Sequence, residues 1–179
     1  MMSERPVVAN VMHTGTRYTL QLLRGWGINP EHYHINHDVL WHSEFIERQA
    51  IVTVRNPYHV FLTWWKDSEE LIHQRDFGNA FLRSYGRLDE WINLRNVREA
   101  HTIYFYVDKQ EPRALAEALG ATYREVPITS SAHFITAKFV LPNYAAFPDE
   151  VRAVAERWGY SPEVPITEAD KGLLEQVMP

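Results

Sequence analysis

Residues 7–18 are VVANVMHTGTRY, and this stretch decides the fold that we expect for the chain. The run from Val7 to Met12 is short, apolar and rich in β-branched residues, as expected of a buried strand. The turn that follows leads into apolar residues at helical spacing as far as Trp26, and Gly27 can end that helix. The stretch therefore predicts a strand, a turn and a helix in succession.

The same alternation continues along the chain. Strands that alternate with helices are typical of a parallel sheet covered on both faces. We therefore predict a single α/β domain spanning residues 1–179, a three-layer P-loop-like domain with a mostly parallel central sheet flanked by helices. The further predicted strands are 32–36, 50–54 and 102–107, and the further predicted helices are 39–48, one from Pro57 through Trp64 and Trp65, 77–94, 112–120, 148–158 and a last one capped by Thr167.

Composition narrows the class of protein. A chain of 179 residues suits one domain, and 45% hydrophobic with 23% charged residues is close to the globular average. The net charge of -5 argues against a dedicated nucleic-acid partner. The absence of cysteine excludes disulfides, thiolate zinc sites and a cysteine nucleophile. Because no apolar run reaches the ~18 residues of a membrane span, we predict a cytoplasmic protein with no membrane partner.

The turn after the first strand is a candidate anion site. A Gly/Thr turn between a strand and a helix turns successive backbone N–H groups toward an anion, and here it comprises Thr14, Gly15 and Thr16. Arg17 adds a guanidinium group. The turn is not a Walker A loop, which needs two glycines and a Lys-Ser/Thr pair. Taken alone, a strand–turn–helix with one glycine is more often plain connectivity.

A second candidate anion site follows the strand at 50–54. Arg55 comes at the end of that strand, where its guanidinium can hold a phosphate through two parallel hydrogen bonds. In a doubly wound sheet the two strand ends lie side by side and could bind two anionic groups of one ligand. The structural alternative for Arg55 is a salt bridge to a carboxylate such as Asp67. For Thr63, eight positions later on the predicted helix, the alternative is an ordinary position on the helix surface.

These segments together resemble the sulfotransferases that use 3′-phosphoadenosine 5′-phosphosulfate. The segment His13–Arg17 is similar to that family's 5′-phosphosulfate loop, in the form seen in glycan sulfotransferases. Arg55, with Thr63 eight positions later, resembles the element that binds the 3′-phosphate, and Tyr85 resembles a tyrosine near the adenine. The resemblance spans roughly residues 7–130. Further similar segments are 104–108, 115–120 and 129–130.

The resemblance implies an enzyme that moves a sulfuryl group from 3′-phosphoadenosine 5′-phosphosulfate, its co-substrate, to a hydroxyl or amine of a small-molecule or glycan acceptor, with no metal. The chain departs from the family in three ways. His13 stands where the family has a lysine, no C-terminal Arg-Lys-Gly segment is found, and the chain is shorter than usual. The charge on the leaving phosphate would then be stabilised by His13 as imidazolium or by Arg17. The alternative for His13 is a loop histidine without a role.

A general base is expected between the two anion elements, where the family places it. Period-two alternation puts His32 and His34 on one face of a short strand. His37 lies at or just past the end of that strand, so it is the first candidate for the base and His34 the second. The carboxylates that remain candidates are Glu44 and Glu47. The histidine spacing lacks the helical pairing with a third ligand that a zinc site needs, so no metal is predicted.

Two rival functions share this fold. A nucleotide-dependent phosphotransferase of the kinase-like P-loop type is disfavoured by the missing Lys-Ser/Thr pair. A non-catalytic nucleotide-binding module could have kept the fold and lost the lysine. Aromatic residues at helical spacing are more often core than an acceptor pocket. The tryptophans concerned are Trp64, Trp65, Trp91 and Trp158.

Overall fold

The computed structural model describes residues 5–11, 14–35, 45–67, 77–109, 111–129 and 149–160. These residues form a four-stranded sheet in the order β2-β1-β3-β4, with every neighbouring pair parallel. The predicted α/β fold with a parallel sheet is therefore confirmed. The strands are β1 (Val7–Asn10), β2 (Glu31–His34), β3 (Ala50–Val54) and β4 (Thr102–Tyr106). The helices are α1 (Thr16–Gly25), α2 (Pro57–Asp67), α3 (Phe77–Val97), α4 (Pro112–Ala118) and α5 (Asp149–Arg157), with a 3₁₀ turn at Val107–Lys109.

Helices cover both faces of the sheet. On one face α1 and α4 pack through Leu22, Leu23 and Leu115 against Val8 and its neighbours. On the other face α2, α3 and α5 cover a second apolar cluster that includes Val7. Successive residues of a strand point to opposite faces, so each strand contributes to both clusters. This explains why β1 and β3 are apolar almost throughout, as is typical of buried parallel strands.

The strand order creates a crevice at one edge of the sheet. β2 and β3 flank β1 on opposite sides. The helix that follows β1 covers one face, and the helix that follows β3 covers the other. The two chain segments therefore diverge as they leave the carboxyl ends of β1 and β3. In open α/β sheets this topological switch point is where ligands bind.

A few sequence-based predictions differ from the structure. The second strand ends at His34 rather than at residue 36. The helix predicted over 39–48 falls partly outside the described residues, and its described part, 45–48, forms no α-helix. The helix capped by Thr167 also falls outside the described residues. In the described part of the chain, no helix is both long and apolar enough to traverse a lipid bilayer.

The extended segment 121–129 runs along the outer side of α1. Gln21 exchanges two hydrogen bonds with Thr129, at 3.0 and 3.1 Å, and the Trp26 indole N–H donates to the Arg124 carbonyl at 2.9 Å. The approach is closest at Gly25, where an added Cβ would overlap the methyl groups of Val126. Glycine at this helical position therefore allows the segment to lie against α1.

Candidate functional site

Two threonine hydroxyls join the carboxyl ends of β1 and β3. The Oγ1 atoms of Thr14 and Thr53 lie 2.9 Å apart, and both residues are 1% exposed. Thr14 donates its hydroxyl hydrogen to the Val11 carbonyl at 2.8 Å, so Thr53 must be the donor in the bond between them. The Thr14 side chain is thus part of the scaffold beneath the turn.

Gly15 directs the chain from the turn into α1. Its φ of 100° and ψ of 22° lie in the left-handed region, which favours glycine. Its carbonyl accepts the Thr19 backbone N–H at 3.0 Å and the Thr19 hydroxyl at 3.1 Å. The first-turn N–H groups of a helix have no partner within the helix and carry partial positive charge. Because the first turn holds exposed Arg17 and no acidic residue, this end of α1 can receive an anion.

Three hydrogen bonds made by Asn56 stabilise the turn that follows β3. Its backbone N–H donates to the Asp108 carboxylate, its Oδ1 accepts the Tyr58 N–H at 3.0 Å, and its carbonyl accepts the Val60 N–H at 3.1 Å. Asn56 is therefore the N-cap of α2, and Pro57 follows at the position where its fixed φ suits a helix start. These bonds set the direction in which Arg55 leaves the strand.

Tyr85 lies beneath this turn. Its side chain is buried, and its ring packs 5.0 Å from the ring of Phe81 and 6.5 Å from that of Trp158. Burial raises the pKa of the hydroxyl far above its ordinary value, the Arg55 charge opposes that shift, and the Asp108 charge adds to it. The Tyr85 phenol is therefore neutral, and its hydroxyl lies within electrostatic reach of Arg55.

Two buried polar groups at this edge have no hydrogen-bond partner among the described residues. They are the Asn56 Nδ2 group and the Tyr85 hydroxyl. Folded proteins seldom leave buried polar groups unpaired, so each such group needs an explanation. Both groups can donate a hydrogen bond. With Arg55 they make a region rich in donors at the carboxyl end of β3.

His59, on the first turn of α2, is 8% exposed and lies near the same arginine. Burial lowers its pKa to about 3, and the Arg55 charge contributes to the shift. His59 is therefore neutral near pH 7 and adds no positive charge beside Arg55.

Asp108 lies at the corresponding position after β4. Its Oδ2 atom accepts both the Asn56 backbone N–H and the Tyr160 hydroxyl, the latter at 2.9 Å. Burial raises the pKa of Tyr160, and the carboxylate of Asp108 raises it further, so the phenol remains a donor. Sequence reasoning included 104–108 in the resemblance but assigned Asp108 no role, and it missed Tyr160. The signal for Asp108 was its place as the first polar residue beyond a strand end.

Histidines line the other side of β1. His32 and His34 lie on one face of β2, with their rings 5.8 Å apart, as the alternation predicted. The Asn10 amide donates to the Val11 carbonyl at 2.7 Å, which turns its Oδ1 toward His32 Nε2 at 2.6 Å. Nε2 must then carry the hydrogen, and Nδ1 keeps the lone pair. Burial lowers the pKa of His32, which favours the neutral ring.

The remaining candidates fall in different places. Glu47 is exposed and pairs with Arg98 at 2.7 Å, at the opposite edge of the sheet. Trp64 and Trp91 are buried in the core, whereas Trp158 is half-buried. The candidates outside the described residues are His13, His37, Glu44 and the side chains of Thr63 and Trp65. Within the described ranges no group of three acidic or histidine side chains is arranged to hold a metal.

Searches for related proteins found no family model that matches the chain and no significantly similar curated protein.

Proposed function

We propose that the protein is a sulfotransferase that binds 3′-phosphoadenosine 5′-phosphosulfate across the carboxyl ends of β1 and β3. The observation that carries this proposal is the parallel pairing of those two strands, which are neighbours in the sheet. Neighbouring strands lie ~5 Å apart, so the Gly15 turn and the Arg55 turn can hold two anionic groups of one nucleotide. The resemblance of the same two segments to sulfotransferase elements supports the choice of ligand.

Each end of the donor has its own set of positive groups. The start of α1 and Arg17 receive the phosphosulfate, together with His13, Thr14, Gly15 and Thr16 of the turn. Arg55 receives the 3′-phosphate, with Thr63 as a second contact. The buried Asn56 Nδ2 group and Tyr85 hydroxyl have no partner among the described residues, and both can donate, so they favour negative charge near Arg55.

Transfer then needs a base on the acceptor side and charge stabilisation on the leaving side. The base removes the proton of the acceptor hydroxyl or amine, whose oxygen or nitrogen forms the new bond to sulfur. The bond from sulfur to the 5′-phosphate oxygen breaks, and His13 or Arg17 stabilises the charge left there. His37 and His34 remain the proposed bases. His32 joins them because its Nδ1 is free of a hydrogen and its pKa is lowered.

The first experiment is calorimetric titration with 3′,5′-bisphosphoadenosine, 5′-AMP and ATP. We expect the bisphosphate to bind best, and Arg55→Ala to weaken it by ~1.5 to 3 kcal/mol while 5′-AMP changes little. Arg98→Ala, at the opposite edge of the sheet where Arg98 pairs with Glu47, is the matched control. Equal losses for both nucleotides would remove Arg55 from the 3′-phosphate site, and a preference for ATP would favour the phosphotransferase.

The second experiment measures sulfuryl transfer to a panel of alcohols, sugars and amines. Removing the base by His37→Ala or His34→Ala should lower turnover ~100- to 10,000-fold with donor affinity within about twofold. Tight bisphosphate binding without turnover for any acceptor would favour the non-catalytic module.

The pH profile tests His13. A neutral base and a cationic His13 together give a bell-shaped rate profile, and His13→Lys should remove its alkaline limb. Normal turnover by His13→Ala would assign the leaving-group charge to Arg17 alone.

A further inference from the structure

A single carboxylate oxygen connects the Arg55 turn to the C-terminal part of the chain. Asp108 lies in the 3₁₀ turn that directly follows β4, beside the end of β3. Its Oδ2 accepts the backbone N–H of Asn56 and the hydroxyl of Tyr160. Asn56 is covalently next to Arg55, so a hydrogen bond at its N–H acts directly on the backbone that carries the guanidinium.

The acceptor atoms of Asn56 itself already accept other N–H groups of the described residues. Its own Oδ1 already accepts the Tyr58 N–H, and its carbonyl accepts the first N–H of the helical ladder, that of Val60. A buried N–H that loses its acceptor costs ~1 to 3 kcal/mol, so the turn would move to recover one. Asp108 therefore determines the backbone conformation of the turn and so the position of the Arg55 guanidinium.

Tyr160 is itself fixed by α5. Its N–H donates to the Ala155 carbonyl at 2.9 Å, across a turn in which Gly159 has a φ of 74°. Val151, Val154 and Ala155 bury one side of α5 against α2 and α3. The hydroxyl of Tyr160 thus approaches Asp108 from a helix packed into the core. A continuous path of contacts leads from α5 through Tyr160, Asp108 and Asn56 to Arg55.

We propose that Asp108 is a positioning residue for the 3′-phosphate site and that Tyr160 holds it in place, which makes the segment 149–160 part of the donor site. This inference rests on the proposed function. Asp108 acts through Asn56 and not on the ligand, because a carboxylate in contact with a phosphate would repel it.

Tyr160→Phe tests the path without changing any charge. It keeps the ring that packs 6.4 Å from Tyr106 and removes only the hydroxyl. We expect affinity for 3′,5′-bisphosphoadenosine to fall roughly three- to tenfold, the value of one hydrogen bond, and affinity for 5′-AMP to stay within about twofold. Tyr123→Phe, which removes a hydroxyl next to α4, is the control and should change neither affinity. Equal weakening of both nucleotides, or no weakening, would overturn the proposal.

Two substitutions at Asp108 distinguish its role as the acceptor of the Asn56 N–H from the effect of its negative charge on the ligand. Asp108→Asn keeps an oxygen that can accept the Asn56 N–H, whereas Asp108→Ala has none. Positioning predicts the larger loss of bisphosphate affinity, roughly tenfold or more, for Asp108→Ala and partial rescue by Asp108→Asn. If both variants bind the bisphosphate more tightly, Asp108 acts by repulsion and the inference is wrong.

Nuclear magnetic resonance gives a readout that needs no ligand. The Asn56 amide and the Arg55 Nε–H resonances should shift in Tyr160→Phe and stay unchanged in Tyr123→Phe. If the wild-type protein does not bind the bisphosphate, the proposed function fails. These shifts would then still decide whether Tyr160 and Asp108 set the Arg55 turn, and unchanged resonances would refute that.

Discussion

The two edges of the sheet each hold an arginine, and the polar groups described near the two arginines differ. At the amino edge Arg95 is 0% exposed. Its guanidinium donates to the carbonyls of Phe45, Ile46 and His101 and to the Thr102 hydroxyl, at 2.6 to 3.0 Å, and stacks 4.8 Å from the ring of Trp91. Burial lowers its pKa to about 10, so it stays charged at neutral pH. The carbonyl dipoles around Arg95 replace the water that it loses on burial.

At the carboxyl edge Arg55 lies among groups that can donate hydrogen bonds. The Asn56 amide and the Tyr85 hydroxyl have no partner among the described residues. Tyr85 and Arg95 belong to the same helix, α3, ten residues and ~15 Å apart. At one end of α3 the Arg95 guanidinium donates four hydrogen bonds, and near the other end the Tyr85 hydroxyl has no partner among the described residues. Natural proteins break the rule of complete pairing mainly at functional sites.

The largest expected effect is at the amino edge. Arg95→Ala leaves four acceptors without their donor, and we expect the free energy of unfolding to fall by at least about 4 kcal/mol, measured by urea denaturation. Arg95→Lys should recover only part of this loss, because one ammonium cannot reach all four acceptors. Arg55→Ala should cost less than Arg95→Ala, because the Arg55 side chain is only half-buried. A loss at Arg55 as large as that at Arg95 would end the distinction between the two edges.

At low pH we expect the protein to lose stability through His59, which lies at the carboxyl edge. The pKa of His59 is about 3 in the folded protein against an ordinary value of 6.5, so the unfolded chain binds the proton more readily. Stability is therefore lost as pH falls from about 6.5 toward 3, by roughly 4 to 5 kcal/mol. In His59→Phe this part of the pH dependence should disappear when melting temperatures are compared.

Asp89 changes stability with pH in the direction opposite to His59, and it provides an internal check on that experiment. Burial raises its pKa to about 6, so its contribution to stability is present at low pH and is lost as pH rises from about 4 to 6. Asp89 is present in both proteins, so the difference between them isolates His59. If the two melting profiles are parallel, the His59 ring is not held neutral by the fold.

The smallest expected effect concerns the Tyr85 hydroxyl. Tyr85→Phe removes a buried polar group without a described partner, so the free energy of unfolding should stay the same or rise by up to ~1 kcal/mol. Affinity for 3′,5′-bisphosphoadenosine should fall by ~0.5 to 1.5 kcal/mol. A clear loss of stability instead would mean that the hydroxyl has a structural partner, and the carboxyl edge would then resemble the amino edge.

Sequence reasoning predicted the parts of this molecule that depend on local pattern. The apolar run Ala50–Val54 and the helix start at Pro57 are where the pattern put them, because burial of a parallel strand and the fixed φ of proline act within a few residues. Arg55 was identified for the same reason, as a polar residue directly after a buried strand.

The contacts across the site could not be predicted this way. Asp108 lies 52 positions from Asn56 and 52 from Tyr160, and no local pattern predicts which N–H or hydroxyl meets its carboxylate. The burial of the Tyr85 ring in the core could not be predicted either, and its place near an adenine stays a prediction from the resemblance. Burial depends on how distant segments of the chain pack, and local sequence patterns do not predict it. Trp158, directly after α5, packs beside Tyr85 in this way.

The close approach at Gly25 affects how mutational tolerance in this protein should be interpreted. Gly25 is the last residue of α1, and glycine in a helix costs up to ~1 kcal/mol relative to alanine, so a stabilising change to alanine would be the ordinary expectation. Here the methyl groups of Val126 occupy the space that the alanine side chain needs. A survey of all substitutions would therefore rank Gly25 among the most sensitive positions, alongside residues of the crevice. Its sensitivity would reflect the fit between α1 and the segment 121–129, and pairing Gly25→Ala with Val126→Ala should restore tolerance.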